Sequence, residues 1–202
     1  SIEVINWTGG FYRFTGNASN NIINVSTSYG GTAYGGAGDD TLNGYGQRGE
    51  EFHGGDGNDI VKGGSGDSKL FGDLGNDLLI GGDGKDKLDG GEGQDQLLGG
   101  SGKDELVGGE GQDQLTGGDG DDTLQGGEGD DHFVYYHLDS DADGSDQAGD
   151  GDDTIFDSNM TSENDVLLLA DLLPSDVYLI KSGNDVAVHL VASDARIAKL
   201  AD

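Results

Sequence analysis

Cysteine is missing from this sequence, proline, methionine and tryptophan occur once each, and ten lysines and arginines face forty aspartates and glutamates across 202 residues. Each shortage removes something. No disulfide framework can hold the fold, although missing thiols are silent on redox compartment. No apolar run approaches the roughly eighteen residues of a membrane helix, and the opening SIEVINWTGG has neither the basic nor the apolar region of a signal peptide, so a soluble chain is expected. An initiating methionine is also absent, which suggests a piece excised from a longer protein. A formal net charge of −30 argues against nucleic acid and membrane insertion, because a field that draws in cations repels phosphate. Metal ions become the first suspects as partners. The excess lies in glycine, 41 residues, a fifth of the chain.

The glycines keep time. From Gly54 to Val134 the chain divides into nine units of nine residues without insertion or deletion, and such a period dictates a solenoid. Positions 1 and 4 are always Gly, position 2 departs only at Asp73, and position 6 is Asp except at Ser68. Position 8 is always apolar: Val61, Leu70, Leu79, Leu88, Leu97, Leu106, Leu115, Leu124 and Phe133. GGAGDDTLN (35–43) is a further full unit; GNASNNIIN (16–24) and WTGGFYRFT (7–15) keep the apolar position but lose the acids. Two ten-residue units, VSTSYGGTAY (25–34) and GYGQRGEEFH (44–53), interrupt them, and the first coil is expected near Trp7. After an acidic insertion one more unit, AGDGDDTIF (148–156), is followed by three strand-like stretches, with SGND (182–185) as a hairpin turn. Three segments result: irregular coils and an N-terminal cap over 1–53, the regular roll over 54–134, and over 135–202 the insertion, the last repeat and a β cap.

A glycine-dominated six-residue stretch cannot remain helical, whereas three residues with an apolar centre make a minimal strand. Turn, strand, turn, strand gives one coil of eighteen residues. Burying two apolar side chains per coil falls far short of the backbone entropy of ordering it. Stacking also sets each position-6 carboxylate above the next, a column that repels itself. A hard divalent cation between coils removes the repulsion and takes oxygens from carboxylates and glycine carbonyls, which suits calcium.

GGDGKDKLD (81–89) and its neighbours resemble the repeats-in-toxin (RTX) nonapeptide, GGxGxDxUx. The resemblance implies an all-β, right-handed parallel β-roll with a C-terminal β cap, calcium between turns of alternate repeats, and export by a type I secretion apparatus to the cell surface or medium. The tail from residue 152 is similar to segments that follow such repeats in haemolysin-type proteins and adenylate cyclase toxins. The implied ligands are the carboxylates of Asp40, Asp59, Asp77, Asp86, Asp95, Asp104, Asp113, Asp122 and Asp131. Carbonyls join them from position 1 (Gly72, Gly90, Gly99, Gly108, Gly117, Gly126) and position 2 (Gly36, Gly55, Gly82, Gly91, Gly100, Gly109, Gly118). Position 4 adds Gly38, Gly57, Gly75, Gly84, Gly93, Gly102, Gly111 and Gly120, and the resemblance implies the position-3 carbonyls of the turn one coil away as further ligands. Alternate units share an edge of the roll, so the edges should differ. One carries Asn21 and then six Asp from Asp40 to Asp131; the other carries Ser68, Asp86, Asp104 and Asp122. Consecutive Asp pairs then predict about seven well-formed calcium sites.

Other patterns compete weakly. DSDADGSDQAGD (139–150) places Asp139, Asp141, Asp143 and Asp150 as in an EF-hand loop, but position 8 is Asp146 and no amphipathic helices flank it, so a second calcium site and a solvated acidic loop both stay open. GYGQRG (44–49) lacks a βαβ setting, GGSGK lacks a phosphate-loop frame, and no H-E-x-x-H or G-x-S-x-G occurs, so the chain itself is read as non-catalytic. Thr at outward positions is too sparse for an ice-binding array. Lys69 and Lys87 stack on one face, with Lys85 and Lys103 in the same units. They either relieve acidic repulsion or hold an anionic polysaccharide, as in roll modules of secreted alginate epimerases. Leu78, Ile80 and Leu98 are expected exposed on the opposite face, and the aromatics of the early coils are expected to pack or cap. The leading reading is a calcium-binding RTX module of a large secreted adhesin or toxin that folds on meeting calcium outside the cell; the alternative is a polysaccharide-binding module of a secreted carbohydrate-active enzyme.

Overall fold

The computed structural model describes residues 3–136, 153–156, 166–170, 177–182 and 185–190, with side chains up to residue 134. Every element among them is a strand. The early coils contain β1 (Glu3–Trp7), β2 (Tyr12–Thr15), β3 (Asn21–Val25), β4 (Gly31–Ala37), β5 (Thr41–Gly44), β6 (Glu51–Asp56) and β7 (Ile60–Lys62). The regular coils contain β8 (Lys69–Leu74), β9 (Leu78–Gly84), β10 (Lys87–Glu92), β11 (Gln96–Gly102), β12 (Glu105–Glu110), β13 (Gln114–Asp119), β14 (Thr123–Glu128) and β15 (His132–Tyr136). Then follow β16 (Asp153–Phe156), β17 (Val166–Ala170), β18 (Val177–Ser182) and β19 (Asp185–Leu190).

Odd-numbered strands from β1 to β17 form one sheet of nine, and even-numbered strands from β2 to β16, with β19 and β18 beyond β16, form a sheet of ten. Successive strands thus alternate between sheets, and each coil lies directly on the coil before. Pairing is parallel throughout β1 to β17, as in Lys69↔Lys87↔Glu105 and Leu78↔Gln96↔Gln114. Only β16–β19 and β18–β19 are antiparallel, so a hairpin ends the ten-stranded sheet. The molecule is a parallel β-roll. Coils step by eighteen residues where units have nine, and by nineteen where a ten-residue unit intervenes, as in Ile22↔Thr41↔Ile60. The ten-residue units are therefore absorbed in the turns without shifting which side chains face inward.

The period-two alternation of a strand turns position 8 inward and positions 7 and 9 outward. Ile23, Leu42, Val61, Leu79, Leu97, Leu115 and Phe133 from one sheet face Ala33, Phe52, Leu70, Leu88, Leu106 and Leu124 from the other, none more than 3% exposed. The core is two side chains wide and one column deep per sheet.

Three expectations need correction. The roll begins before Trp7, because β1 already pairs with β3 from Glu3↔Asn21. Of the apolar residues expected on the outer face, Leu98 is 40% exposed. Leu78 and Ile80, however, are half-buried, since each is covered by its neighbours in the column, Ile60 and Gln96 for Leu78 and Lys62 and Leu98 for Ile80. Among the early aromatics Tyr12 is buried and stacks on Phe14 at 5.5 Å, while Trp7, Phe11, Tyr29 and Tyr45 are exposed. Tyr34, His53 and Phe71 form a separate outer stack, with ring centroids 4.7 and 4.5 Å apart and near-parallel planes. Their faces are occupied by one another, so the stack presents edges rather than a flat platform.

Candidate metal centre

Each turn between the sheets needs backbone geometry that glycine supplies. In the turns that carry an aspartate at position 6, positions 2 and 4 lie in the left-handed region, from Gly36 (φ 115°) and Gly38 (φ 101°) to Gly127 (φ 121°) and Gly129 (φ 128°), whereas Gly64 and Gly66 of the Ser68 turn do not. Asp73, the one non-glycine at position 2 of the regular units, adopts φ 74°, which Asp tolerates better than most side chains. These turns aim carbonyls into the gap between coils. Carbonyls of positions 2 and 4 point to the following coil: Gly36 O lies against the α-carbon face of Gly55, and Gly38 O against that of Gly57. Position-1 carbonyls point to the preceding coil, as Gly54 O does toward Gly35 and Gly90 O toward Gly72. Position-3 carbonyls are already engaged by position-4 amides one coil earlier, for example Gly57 N–H to Leu74 O at 2.8 Å.

The position-6 carboxylates fill the same gaps. Asp40, Asp59, Asp77, Asp95, Asp113 and Asp131 form one column, Asp86, Asp104 and Asp122 the other, and none is more than 3% exposed. In each column an Asp Oδ1 accepts from the backbone amide of the position-6 residue one coil earlier: Asp77 from Asp59 N–H at 2.7 Å, Asp95 from Asp77 at 2.7 Å, Asp104 from Asp86 at 2.8 Å. The column begins with Asn21 donating to Asp40 at 2.6 Å on the first edge, and with Ser68 donating to Asp86 at 2.6 Å on the second. The other oxygen is different. Oδ2 of Asp40, Asp59, Asp77, Asp86, Asp95, Asp104 and Asp113 is buried and accepts no hydrogen bond. A methyl group on the position-1 glycine of the same repeat would collide with that Oδ2 and with a carbonyl of the next coil, as at Gly35 with Asp40 and Gly54 O, or at Gly90 with Asp95 and Gly108 O. At Gly35, Gly72, Gly81, Gly90, Gly99 and Gly108 a carboxylate oxygen and a carbonyl oxygen are the two nearest atoms.

Burial raises the carboxyls of Asp59 and Asp95 to about 6, and those of Asp77, Asp86, Asp113 and Asp122 to about 7; amide donors pull each back, and neighbouring carboxylates push them further up. Asp104 is raised by burial in the same way. Orphaned carboxylate oxygens beside carbonyls, with no cationic side chain among them, have the chemistry of a hard-cation site, in which a metal ion or a proton balances the charge. Among the described residues no group of three or more His, Cys, Asp and Glu clusters as a metal site, consistent with two carboxylates per gap and carbonyls for the rest.

The family model for the RTX calcium-binding nonapeptide repeat matches four times, at residues 25–48, 53–88, 63–97 and 98–133, together just over half of the chain. The chain belongs to the RTX calcium-binding nonapeptide repeat family. The RTX roll is a structural calcium-binding module that is not itself catalytic. No curated protein matches the chain.

The RTX turns bring together the carboxylates and the glycine carbonyls of positions 1, 2 and 4 on two edges. They leave apart the EF-hand-like set: Asp139, Asp141, Asp143 and Asp150 lie outside the described residues. Lys69 and Lys87 are neighbours in register. Lys69 Nζ lies 3.8 Å from Glu51, Lys87 bonds Glu105, and Lys103 lies 3.7 Å from Asp121, so each of these lysines meets a carboxylate one coil away.

One acid escaped the sequence reading. Glu50 is 2% exposed and lies in the position-6 column of the second edge, directly beneath Ser68, where Lys69 N–H bonds Glu50 O at 2.7 Å. It belongs to a ten-residue unit, so a nine-residue register passes over it. The signal available was the excess residue itself: six positions separate Gly44 from Glu50, against five from Gly54 to Asp59.

Proposed function

We propose that this chain is the calcium-gated folding module of a large protein exported by a type I secretion apparatus, an adhesin or a toxin, and that it folds outside the cell. The observation that carries the reading is the double column of buried Asp Oδ2 atoms without hydrogen-bond partners. Where calcium is scarce, like charges stacked along each edge oppose closure of the coils, and the chain stays extended enough to thread a channel. Where it is abundant, the ion supplies positive charge and oxygen-hungry coordination to each gap. Position-6 carboxylates from consecutive coils and the carbonyls of positions 1, 2 and 4 would hold it, and the amide-to-Oδ1 bonds keep each carboxylate aimed. About seven ions would cancel roughly half of the formal charge of −30.

The lysine face supports charge relief more than glycan capture, because Lys69 and Lys87 sit between Glu51 and Glu105 in one column. Circular dichroism during calcium titration tests the main reading. A disordered spectrum in chelator that converts cooperatively to β on adding calcium is expected; a spectrum indifferent to calcium overturns it. Binding of alginate in calcium, abolished by Lys69→Glu with Lys87→Glu, would instead favour the polysaccharide reading.

A further inference from the structure

The second edge holds a buried acid that the nonapeptide pattern does not describe. The family matches stop at residue 48 and resume at 53, leaving Glu50 outside them. Its surroundings nevertheless share one feature with the regular turns, a carboxylate and a carbonyl packed against a glycine, although Gly46, Gly64 and Gly66 lack the positive φ found there. The Glu50 carboxylate carbon and Oε2 both lie 3.1 Å from where a Gly44 methyl would stand, and Lys62 O lies 3.2 Å from the same point, so a carboxylate and a carbonyl of the next coil again flank a glycine. Gly46 is covered by Glu50 Oε1 and, at 2.6 Å from its own added methyl, by Thr27 O. Oε1 is buried and accepts no hydrogen bond. Oε2 takes the Ser68 hydroxyl at 3.4 Å, whose single proton has a better acceptor in Gly66 O at 2.9 Å, and the amides of Gly46, Glu50 and Gly64 also face the carboxylate. No lysine or arginine pairs with Glu50 among the described residues.

The extra residue of the turn and the extra methylene of the side chain offset one another. Gly44 to Glu50 is one residue longer than Gly54 to Asp59, and Glu stands where the regular turns have Asp, its carboxylate packed against Gly44 and Gly46. Burial raises the Glu50 carboxyl, with the amides of Gly46, Glu50 and Gly64 and the Ser68 hydroxyl pulling the other way; burial, and after it the Glu50 charge, pushes up the Tyr12 hydroxyl, itself without a partner. An anion in this place without a cation is costly to both.

We propose that Glu50 is the carboxylate of an additional divalent-cation site at the head of the second edge, between the 44–50 turn and the 63–68 turn, with calcium as its ion. The inference rests on the reading of the repeat turns as calcium sites. Ser68 leaves the site one carboxylate short, so it fills last. Tyr12 lies close enough to report on it.

Native mass spectrometry of the whole chain in calcium, unmodified and as Glu50→Gln, tests the proposal. One ion fewer in Glu50→Gln, with the remaining count and the β spectrum retained, is the expected result. An unchanged count overturns it and marks Glu50 as a neutral, protonated side chain. An unmodified chain that binds no calcium overturns the underlying reading instead. Should Glu50→Gln fail to fold, crystals of the unmodified chain with terbium in place of calcium decide: an anomalous peak beside the Glu50 carboxylate supports the site, and its absence there with peaks between the Asp pairs refutes it. Terbium luminescence excited through tyrosine should fall in Tyr12→Phe.

Discussion

The two edges of the roll share their regular turns and differ at the head of the second, in what occupies position 6 and in the backbone that carries it. On the first edge carboxylates run unbroken from Asp40 to Asp131, each Oδ1 taking an amide from the coil before. On the second, Glu50 and Ser68 come before Asp86, Asp104 and Asp122. The turns with Asp at position 6 share their glycine conformations, carbonyl directions and parallel ladder on both edges. Backbone geometry departs from that pattern only where the Asp is missing, at the 44–50 and 63–68 turns, in which Gly46, Gly64 and Gly66 have no positive φ. It builds the cradle, and one side chain per coil sets how much negative charge the cradle carries.

The sharpest test compares single Asp removals on the two edges. Asp77 has an Asp above and below it, Asp95 and Asp59, so Asp77→Ala should lose two calcium ions. Asp86 has Asp104 on one side but Ser68 on the other, so Asp86→Ala should lose one well-formed site. An ion held at a hundredfold above its Kd stabilises a fold by about 2.7 kcal/mol, so Asp77→Ala should cost roughly twice what Asp86→Ala costs in calcium-dependent thermal stability. Equal losses by calorimetry and mass spectrometry would show that the edges are loaded alike.

Acid treatment should act on both edges but in proportion to their carboxylates. In the calcium-free roll these carboxyls sit at about 6 to 7, as for Asp59 and Asp77, against about 3.9 in an unfolded chain. The roll then binds more protons than the unfolded chain, so its stability is greatest below about pH 4 and is lost as pH rises through 7. Calcium-free protein should gain β signal on going from pH 7.5 to pH 4, and identical spectra at the two values would contradict the assignment of burial as the cause. Ser68→Asp should have a smaller effect with the opposite sign, extending the second column and raising the calcium-loaded melting temperature by a few degrees; a fall would mean that the turn cannot take a second charge beside Glu50. The smallest change is expected at the lysines. Lys87→Glu breaks one exposed pair with Glu105 and should cost at most about 1 kcal/mol, less at high salt, by chemical denaturation in calcium.

The regular coils were legible because three constraints recur at fixed spacing: glycine where φ is positive, aspartate where the turn needs an anion, and an apolar side chain where the strand faces in. Every position-8 residue from Val61 to Phe133 is buried. Legibility failed where one constraint is replaced by another means of meeting it. β1 is hard to read because Glu3–Trp7 has neither the glycine run nor the position-6 aspartate that marks a coil, although it pairs with β3 and Ile5 packs against the core. Glu50 was missed because an extra turn residue and a longer side chain reach a position that spacing assigns to Asp. Leu78 and Ile80 read as exposed because outward-facing implies solvent in a single strand, whereas stacked coils cover each other's flanks.

The core two side chains wide has a consequence for size. Leu97 in one coil meets its equivalents Leu79 and Leu115 before and after it, and nothing more distant along the column. An eighteen-residue coil could be excised or duplicated by genetic recombination and the cut faces would still match, tile to tile. The roll is thus a spacer whose length can be edited in steps of about 4.8 Å, and the distance it spans can evolve while every local contact stays the same.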